Sequence, residues 1–461
     1  MTAKAYNDHN VYILGAGFAA EAGLPLIKDF MNRMRDAAAW LEMQGGRERE
    51  QIAIGRVLEF RLRAAAASHR VPLNVENVEE LFSLASASGD EELANAMPSA
   101  IAATLDYARQ RAKPAEDWRR FQIGVLNQPD WKPPSSWATP LPYIQEAMKN
   151  GDRKGKWYSC PPYDFYVGVM AGYFNKGGPE RRDTIITFNY DTIIEDTLRD
   201  LRVPFSYGLP ADSIDFDETA DRIKALYSEA GIELLKLHGS LNWWALYPEE
   251  LERFRRRVQM AGVKTLADGG HLTEEQFNHL LRGGRRHGRL TVYGGYGNGP
   301  TPFLVPPTWR KIFSGFYGSV WDASVTALRT ATNVIILGYS VPATDQHFRY
   351  LLAAGLQDNI SLRKVLFVNP ALKDEREREM IESRLFGPLG LFRQELRKQG
   401  VIEFIGYNGE DTREFFTGPH DIYAPQSYRA MIGRPLSPEQ YGQEDAPVRF
   451  SDRAENTGTW R

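Results

Sequence analysis

Three short stretches of this chain combine residue types that hold nucleotides or move protons. Gly15-Ala16-Gly17 follows the apolar run Val11-Tyr12-Ile13-Leu14. Glycines in such a turn let backbone N–H groups approach a pyrophosphate, and a helix start beyond it adds partial positive charge. The competing use of the same turn is tight packing. Asn189 stands in Thr187-Phe188-Asn189-Tyr190-Asp191. Its carboxamide offers a donor and an acceptor, suited to orienting a water or a ribose hydroxyl, and asparagine is equally a favoured helix cap. Asp191 carries the same two readings, a helix-start charge or an acceptor for a sugar hydroxyl. His238 lies in Leu237-His238-Gly239-Ser240. Imidazole titrates near neutrality and is the natural general base, while a packed, satisfied core histidine fits the same position. No G-x-S-x-G elbow surrounds Ser240, so a serine nucleophile is set aside.

Residues like these need rigid elements to aim them. Apolar runs at 11–14, 183–188, 233–237, 303–305, 334–337 and 364–368 read as strands. Near-continuous apolar runs suit strands covered on both faces, as in parallel sheets. They end at Gly15, Asn189, His238, Pro306, Gly338 and Asn369, and carboxyl strand ends are where open α/β sheets take ligands. The expected fold is therefore α/β, a Rossmann-like, mostly parallel sheet with helices on both faces. The ordinary dehydrogenase reading is disfavoured: Ala20 at the third glycine position is tolerated by that fingerprint, but no clear acidic residue ends a second strand about twenty residues on.

Helical signals fill the intervals. Asp29 reads as a cap for Phe30, Met31, Met34, Ala38 and Leu41, which recur at helical spacing. Asn77 followed by Glu80 reads as a capping box leading into Leu81, Phe82, Leu84 and Ala85. Alanine-rich stretches at 63–67 and 94–103 fit helices, as does 192–201. The reading divides the chain into a nucleotide-binding domain at 1–44 and 181–407, a helical insertion at 45–180, a charged insertion at 246–300 and a polar tail at 408–461. A Pro- and Trp-rich loop is expected at 129–134 within the helical insertion.

Bulk composition narrows the class. The chain has 461 residues, the mass of two or three domains, with 43% hydrophobic and 25% charged residues, as in globular proteins. A formal net charge of −3 points away from direct nucleic-acid or acidic-membrane binding. The arginines at 253, 255–257, 282, 285, 286 and 289 read as a solvated surface, with Glu249, Glu250 and Glu252 as local counter-charges. A single cysteine, Cys160, excludes an internal disulfide framework and a cysteine-built zinc site. The apolar runs are too short to span a bilayer and none resembles a signal peptide, so a cytoplasmic location is expected. Trp243-Trp244 would either wall a site or join the core.

In order, the motifs resemble the sirtuin family. Gly15-Ala16-Gly17 through Gly23-Leu24-Pro25 looks like its NAD-binding opening, Phe188-Asn189-Tyr190-Asp191 its Asn-x-Asp strand end, and Leu237-His238-Gly239 its catalytic histidine. Gly338-Tyr339-Ser340 and Phe367-Val368-Asn369 resemble the later segments that contact adenosine. Val305-Pro306-Pro307-Thr308, and Gly338-Tyr339-Ser340 with Asp345, look like a bacterial branch linked to phage defence. The chain departs from the family's pattern in lacking four zinc-holding cysteines, and in carrying Ala19 and Ile27-Lys28 where serine and Phe-Arg are usual. The resemblance implies NAD as substrate without a metal, and cleavage to nicotinamide and ADP-ribose ahead of protein deacylation or ADP-ribosyl transfer. A non-catalytic NAD or ADP-ribose scaffold is the other alternative. By resemblance, Asn189 and His238 are catalytic. Gly15, Ala16 and Gly17 cradle the pyrophosphate, Pro25 belongs to the turn beside it, Asp191 supports the pocket, and Gly338, Ser340 and Asn369 border the adenosine. A homo-oligomer, and a partner such as a HerA-type ATPase or an Argonaute-type protein, are implied in the same way.

Overall fold

Every position of Asn10–Leu14 (β1) is buried, as a run covered on both faces requires. In the computed structural model, which describes residues 9–71, 73–111, 163–171, 183–246, 289–296, 301–305, 316–342, 345–386 and 405–417, β1 is the central strand. The other strands are Thr184–Thr187 (β2), Phe205–Ser206 (β3), Ile214–Phe216 (β4), Ile232–Lys236 (β5), Trp243–Leu246 (β6), Arg289–Val292 (β7), Asn333–Leu337 (β8), Lys364–Val368 (β9) and Ile405–Asn408 (β10). Seven of them form one sheet in the order β10-β9-β8-β1-β2-β5-β3. All its pairings are parallel. From β1 the chain passes to β2, then to the edge strand β3, comes back as β5 between them, and crosses to the opposite side of β1 as β8. The strand order therefore reverses between β1 and β8, the topological switch point of a doubly wound sheet. The Rossmann-like expectation holds.

Register brings the predicted strand ends to one level. Leu14 pairs with Thr187 on one side and Leu337 on the other, Thr187 pairs with Lys236, and Leu337 with Val368. Gly15, Phe188, Leu237, Gly338 and Asn369 thus leave the sheet side by side. The run 303–305 is a correction. It makes an isolated bridge, Gly239 to Leu304, and joins no strand of the main sheet. Its backbone instead serves the loop after β5: Phe303 N donates to Trp243 O at 2.7 Å and Val305 N to His238 O at 2.8 Å. A second, three-stranded sheet, β4-β7-β6, lies apart from the main one. Trp243 is 1% exposed and meets Tyr207 edge-on at 4.9 Å, so it is core.

Among the described residues the flanking helices include Ile27–Gln44 (α1), Glu48–Ala67 (α2), Val78–Ala87 (α3), Glu91–Arg111 (α4), Tyr163–Met170 (α5), Ile193–Asp200 (α6), Phe316–Thr330 (α7), Gln346–Leu356 (α8), Glu375–Phe386 (α9) and Thr412–Thr417 (α10). α1 begins two residues before Asp29, which contributes negative charge to its first turn and does not cap it. α3 begins as expected, with Asn77 Oδ1 accepting from Glu79 N at 2.9 Å and Glu80 N at 3.4 Å. α2 and α4 pack on each other and on α1. The start of the expected polar tail is ordered chain: Tyr407 and Asn408 belong to edge strand β10, and Phe415 and Phe416 of α10 are buried. The loop at 129–134, Cys160, the arginines at 253–257 and 282–286, and 418–461 lie outside the described residues. No helix among the described residues is long and apolar enough to cross a membrane.

The opposite end of the sheet is tied by a polar network. His9 bridges Thr330 Oγ1 at 3.0 Å and Thr184 Oγ1 at 3.1 Å. Asn10 donates to Asp183 and accepts from Asn333. Burial pushes the His9 imidazole below its ordinary value of 6.5, partly offset by a bond to Thr330. The unfolded chain therefore binds more protons here as the pH drops past 6.5, and folding stability falls with it. Thermal melting across about pH 7.5 to 5.5 is expected to show wild type losing its advantage over His9→Asn as the pH falls; a constant gap would sink the assignment.

Candidate functional site

Three glycines from two strand ends interlock at the switch point. Gly15 N donates to Leu337 O at 2.9 Å and Gly17 N to Gly338 O at 2.8 Å. A methyl group on Gly15 would meet Gly338 O and Tyr339 Cα at 2.7 Å, and one on Gly17 would meet Gly338 Cα at 2.8 Å. Gly338 has φ +61°, and its added carbon would stand 2.3 Å from Phe18 N. Tight packing thus accounts for these glycines whatever ligand the crevice takes. Gly338→Ala combines a left-handed backbone with a backbone collision, so it is expected to destabilise by about 2 kcal/mol or more. Gly89, also at positive φ but with open space around it, is the control: Gly89→Ala should lose only about 1 kcal/mol in the same denaturant titration.

Asn189 is half-buried beside this knot. Its Nδ2 donates to Gly15 O at 3.0 Å, and its backbone N–H donates to Thr187 Oγ1 at 3.0 Å. The helix-start bond belongs to Asp191, whose Oδ1 accepts from Ile193 N at 3.0 Å. So Asn189 does not cap α6, and its carboxamide is anchored by one nitrogen to the glycine turn.

His238 leaves β5 two residues beyond Lys236, as Asn189 leaves β2 two residues beyond Thr187, and those two positions are paired. The imidazole is 3% exposed. Phe188 meets it edge-on at 5.0 Å and Tyr190 lies at 6.0 Å. Phe188 also stacks on Tyr339 at 4.8 Å, and Phe348 closes edge-on against both. Nε2 of His238 stands 3.7 Å from Oδ2 of Asp345, the oxygen to which Tyr339 OH donates at 2.7 Å. Gly239, at φ +81°, permits the tight turn: a side chain there would strike Phe303 O.

Asp191 faces the other way. Burial raises its carboxyl above the ordinary range, opposed chiefly by Lys236. The Lys236 ammonium is fully buried and bonds to Glu195 Oε1 at 2.8 Å and to the Asp191 carbonyl. Burial raises the Glu195 carboxyl too, with Lys236 again the main opposing influence. Arg109 of α4 reaches Thr192 Oγ1 at 2.8 Å and pairs with Asp196. A cavity of about 370 Å³ opens here, lined by Leu24, Arg109, Asp191, Thr192, Leu241 and Tyr296 among others, within the range of ligand sites. Asp191 and Leu24, the residue before buried Pro25, both line it.

The outer strand ends are more loosely joined to this centre. Ser340 is exposed, and its carbonyl accepts from Arg384 Nη1 at 3.2 Å. Asn369 is half-buried and accepts from Ala371 N at 3.0 Å, capping a short 3-10 helix. Ala16 opens the 3-10 helix that follows the glycine turn. The structure thus gathers Gly15, Gly17, Gly338 and Asn189 at the switch point and sets His238 beside them one strand over. Asp191 lines the cavity, and Pro25 is buried next to the lining residue Leu24. Sequence reasoning assigned no role to Lys236, Glu195 or Arg109. The readable signal was Lys236 following Leu234 and Leu235 in a strand-like run.

Sheet order and register define a doubly wound α/β domain whose glycine, asparagine and histidine strand ends lie at one level beside its switch point. Residues 183–389, a little under half of the chain, match the family model of the SIR2-like domain. Sirtuins use NAD as substrate. No curated protein matches the sequence. Similar solved structures include Sir2Tm bound to a propionylated peptide, at 11% identity over 86% of this chain and 94% of that one, with a TM-score of 0.24. A SIR2 complex with the inhibitor EX-527, 2'-O-acetyl-ADP-ribose and a deacetylated p53 peptide is similar at 11% identity over 86% and 95%, with a TM-score of 0.23.

Proposed function

We propose that this chain hydrolyses NAD at the bond between nicotinamide and ribose, releasing nicotinamide and ADP-ribose. One arrangement carries the reading: Asn189 and His238 follow paired positions on neighbouring strands, beside the glycine knot of the switch point, in a chain with a SIR2-like match. Nicotinamide is a cationic leaving group in NAD, so cleavage asks mainly for orientation and a dry site that supports an oxocarbenium-like ribose. The buried rings of Phe188, Tyr339 and Phe348 pack around the imidazole and shield it from bulk solvent. His238 accepts a proton from a ribose hydroxyl or from the attacking water. Asn189, tied by its nitrogen to Gly15 O, orients that hydroxyl or water with its oxygen.

On the same reading Gly15, Ala16 and Gly17 face the pyrophosphate, Asp191 and Pro25 border the nicotinamide side, and Gly338, Ser340 and Asn369 border the adenosine. The domain is 1–44 with 181–407, and the helices within 45–180 and the tail from 408 offer surfaces for assembly. An enzyme that destroys NAD must be held in check, so the chain acts as a regulated cytoplasmic effector of anti-phage defence, as a homo-oligomer or with a HerA-type or Argonaute-type partner.

The test is nicotinamide release from NAD by the purified full chain, alone and with those partners. Tight NAD binding with no turnover under any condition would turn the reading to a scaffold. Turnover only in the presence of an acylated peptide would turn it to a deacylase.

A further inference from the structure

Asp345 immediately precedes α8, where an aspartate ordinarily caps the helix with its side chain. Here it makes no cap bond. The carboxylate is turned inward, 1% exposed, with Tyr339 OH at 2.7 Å and His238 Nε2 at 3.7 Å from the same oxygen. A buried carboxylate that gives up its helix contacts must find compensation elsewhere, and the hydroxyl and imidazole are two such groups. The turn that delivers it is held in an uncommon shape. Gly338 has φ +61°, and Val341, β-branched and buried, has φ +49°. Such a conformation persists only where its surroundings over-determine it. Arg384 of α9 supplies part of that hold, donating to the carbonyls of Ser340 at 3.2 Å and Val341 at 3.5 Å.

We propose that Asp345 is the positioning residue of the base: its carboxylate, 3.7 Å from Nε2 of His238, orients the imidazole and counters the positive charge that forms on it when it takes the proton of the reaction. This rests on the NAD-cleaving reading above. In the step, the O–H bond of a ribose hydroxyl or water breaks and an N–H bond forms on the His238 imidazole. The positive charge then on the ring is countered by Asp345, and the proton later passes to solvent. The logic is that of a base oriented by a buried acid. Among the described residues, the titratable groups facing the pair are Tyr339, bonded to Asp345, and Tyr190, beside the imidazole. Glu79 of α3 acts electrostatically on both tyrosines, and Tyr317 of α7 on Tyr190.

Asp345→Asn preserves shape and an acceptor for Tyr339 while removing the charge. In the full chain its kcat for nicotinamide release is expected to fall about ten- to hundredfold at neutral pH, with KM little changed. Loss of the carboxylate lowers the imidazole's proton affinity, so the acid limb of the pH–rate profile should move about one unit towards acid. Asp345→Glu, which keeps the charge, should return the limb towards its original place. Independently of turnover, NMR titration of the imidazole signal absent from His238→Ala should shift by the same amount in Asp345→Asn. An unmoved limb with an unmoved imidazole titration would overturn the proposal, even with kcat or melting temperature reduced, since that is how a structural strut behaves. If wild type releases no nicotinamide under any condition, the NAD-cleaving reading fails. The NMR titration still decides the pairing then, a shift upholding it and none overturning it.

Discussion

His238→Ala is expected to slow nicotinamide release by about 10²- to 10⁴-fold, the usual contribution of a positioned general base. NAD affinity should change far less, because the imidazole is 3% exposed behind Phe188 and Tyr190 and so offers little surface to ground-state binding. Removing a buried ring also leaves a cavity, and that alone costs stability. His238→Gln, closer in volume, separates the two effects: a folded, NAD-binding Gln variant as slow as the Ala variant assigns the loss to proton transfer. Asn189→Ala should be slow for a different reason. It removes the Nδ2 bond to Gly15 O, loosening the link between the β2 end and the glycine knot, so both KM and kcat are expected to suffer. Single-turnover nicotinamide release, read beside calorimetric NAD binding, distinguishes these patterns. Release at the wild-type rate from both alanine variants would remove Asn189 and His238 from the chemistry.

How much of this was readable beforehand follows from which interactions are local. The strands were legible because parallel strands buried on both faces are near-continuously apolar, and β1, β2, β5, β8 and β9 stand where such runs predict them. The capping box at Asn77 was legible because its partners are two and three residues away. The run at 303–305 looked like another strand for the same compositional reason. Its hydrogen bonds go to the loop after β5, a tertiary choice that no local pattern encodes. Asn189 and His238 stand out by type at strand ends. What Asn189 does with its nitrogen depends on Gly15, 174 positions away. The approach of Asp345 to His238 likewise needed the fold, since the two stand far apart in sequence and meet only across the sheet. Of the three glycines at 15, 17 and 338, local sequence flagged a turn, and only the fold revealed that they pack against one another.

Lys236→Met is expected to destabilise the chain by about 3–5 kcal/mol, the usual effect of leaving one partner of a buried ion pair alone. The ammonium is fully buried, bonds to Glu195 Oε1 at 2.8 Å, and is the main influence opposing the raised carboxyls of Asp191 and Glu195. Without it, Glu195 would sooner take a proton than stay charged in an apolar setting. Its folded-state proton affinity then exceeds the unfolded one by more than in wild type. Stability is therefore lost as the pH rises above the ordinary carboxyl range, and the deficit of the variant should shrink on acidification. Adding Glu195→Leu removes the stranded charge, so the double variant should recover most of the stability in urea titrations. A single variant as stable as wild type, or a double variant no better than the single, would contradict this account. The same lysine also bonds to the carbonyl of Asp191, two residues beyond Asn189, and the double variant does not restore that bond. Displacing a positioning loop by about 1 Å can slow a reaction about a hundredfold. Nicotinamide release should therefore stay depressed in a double variant that melts nearly like wild type. That combination would place the buried lysine's importance in holding the Asn189–Asp191 loop in register with the imidazole, since the fold itself can be kept stable without the charge.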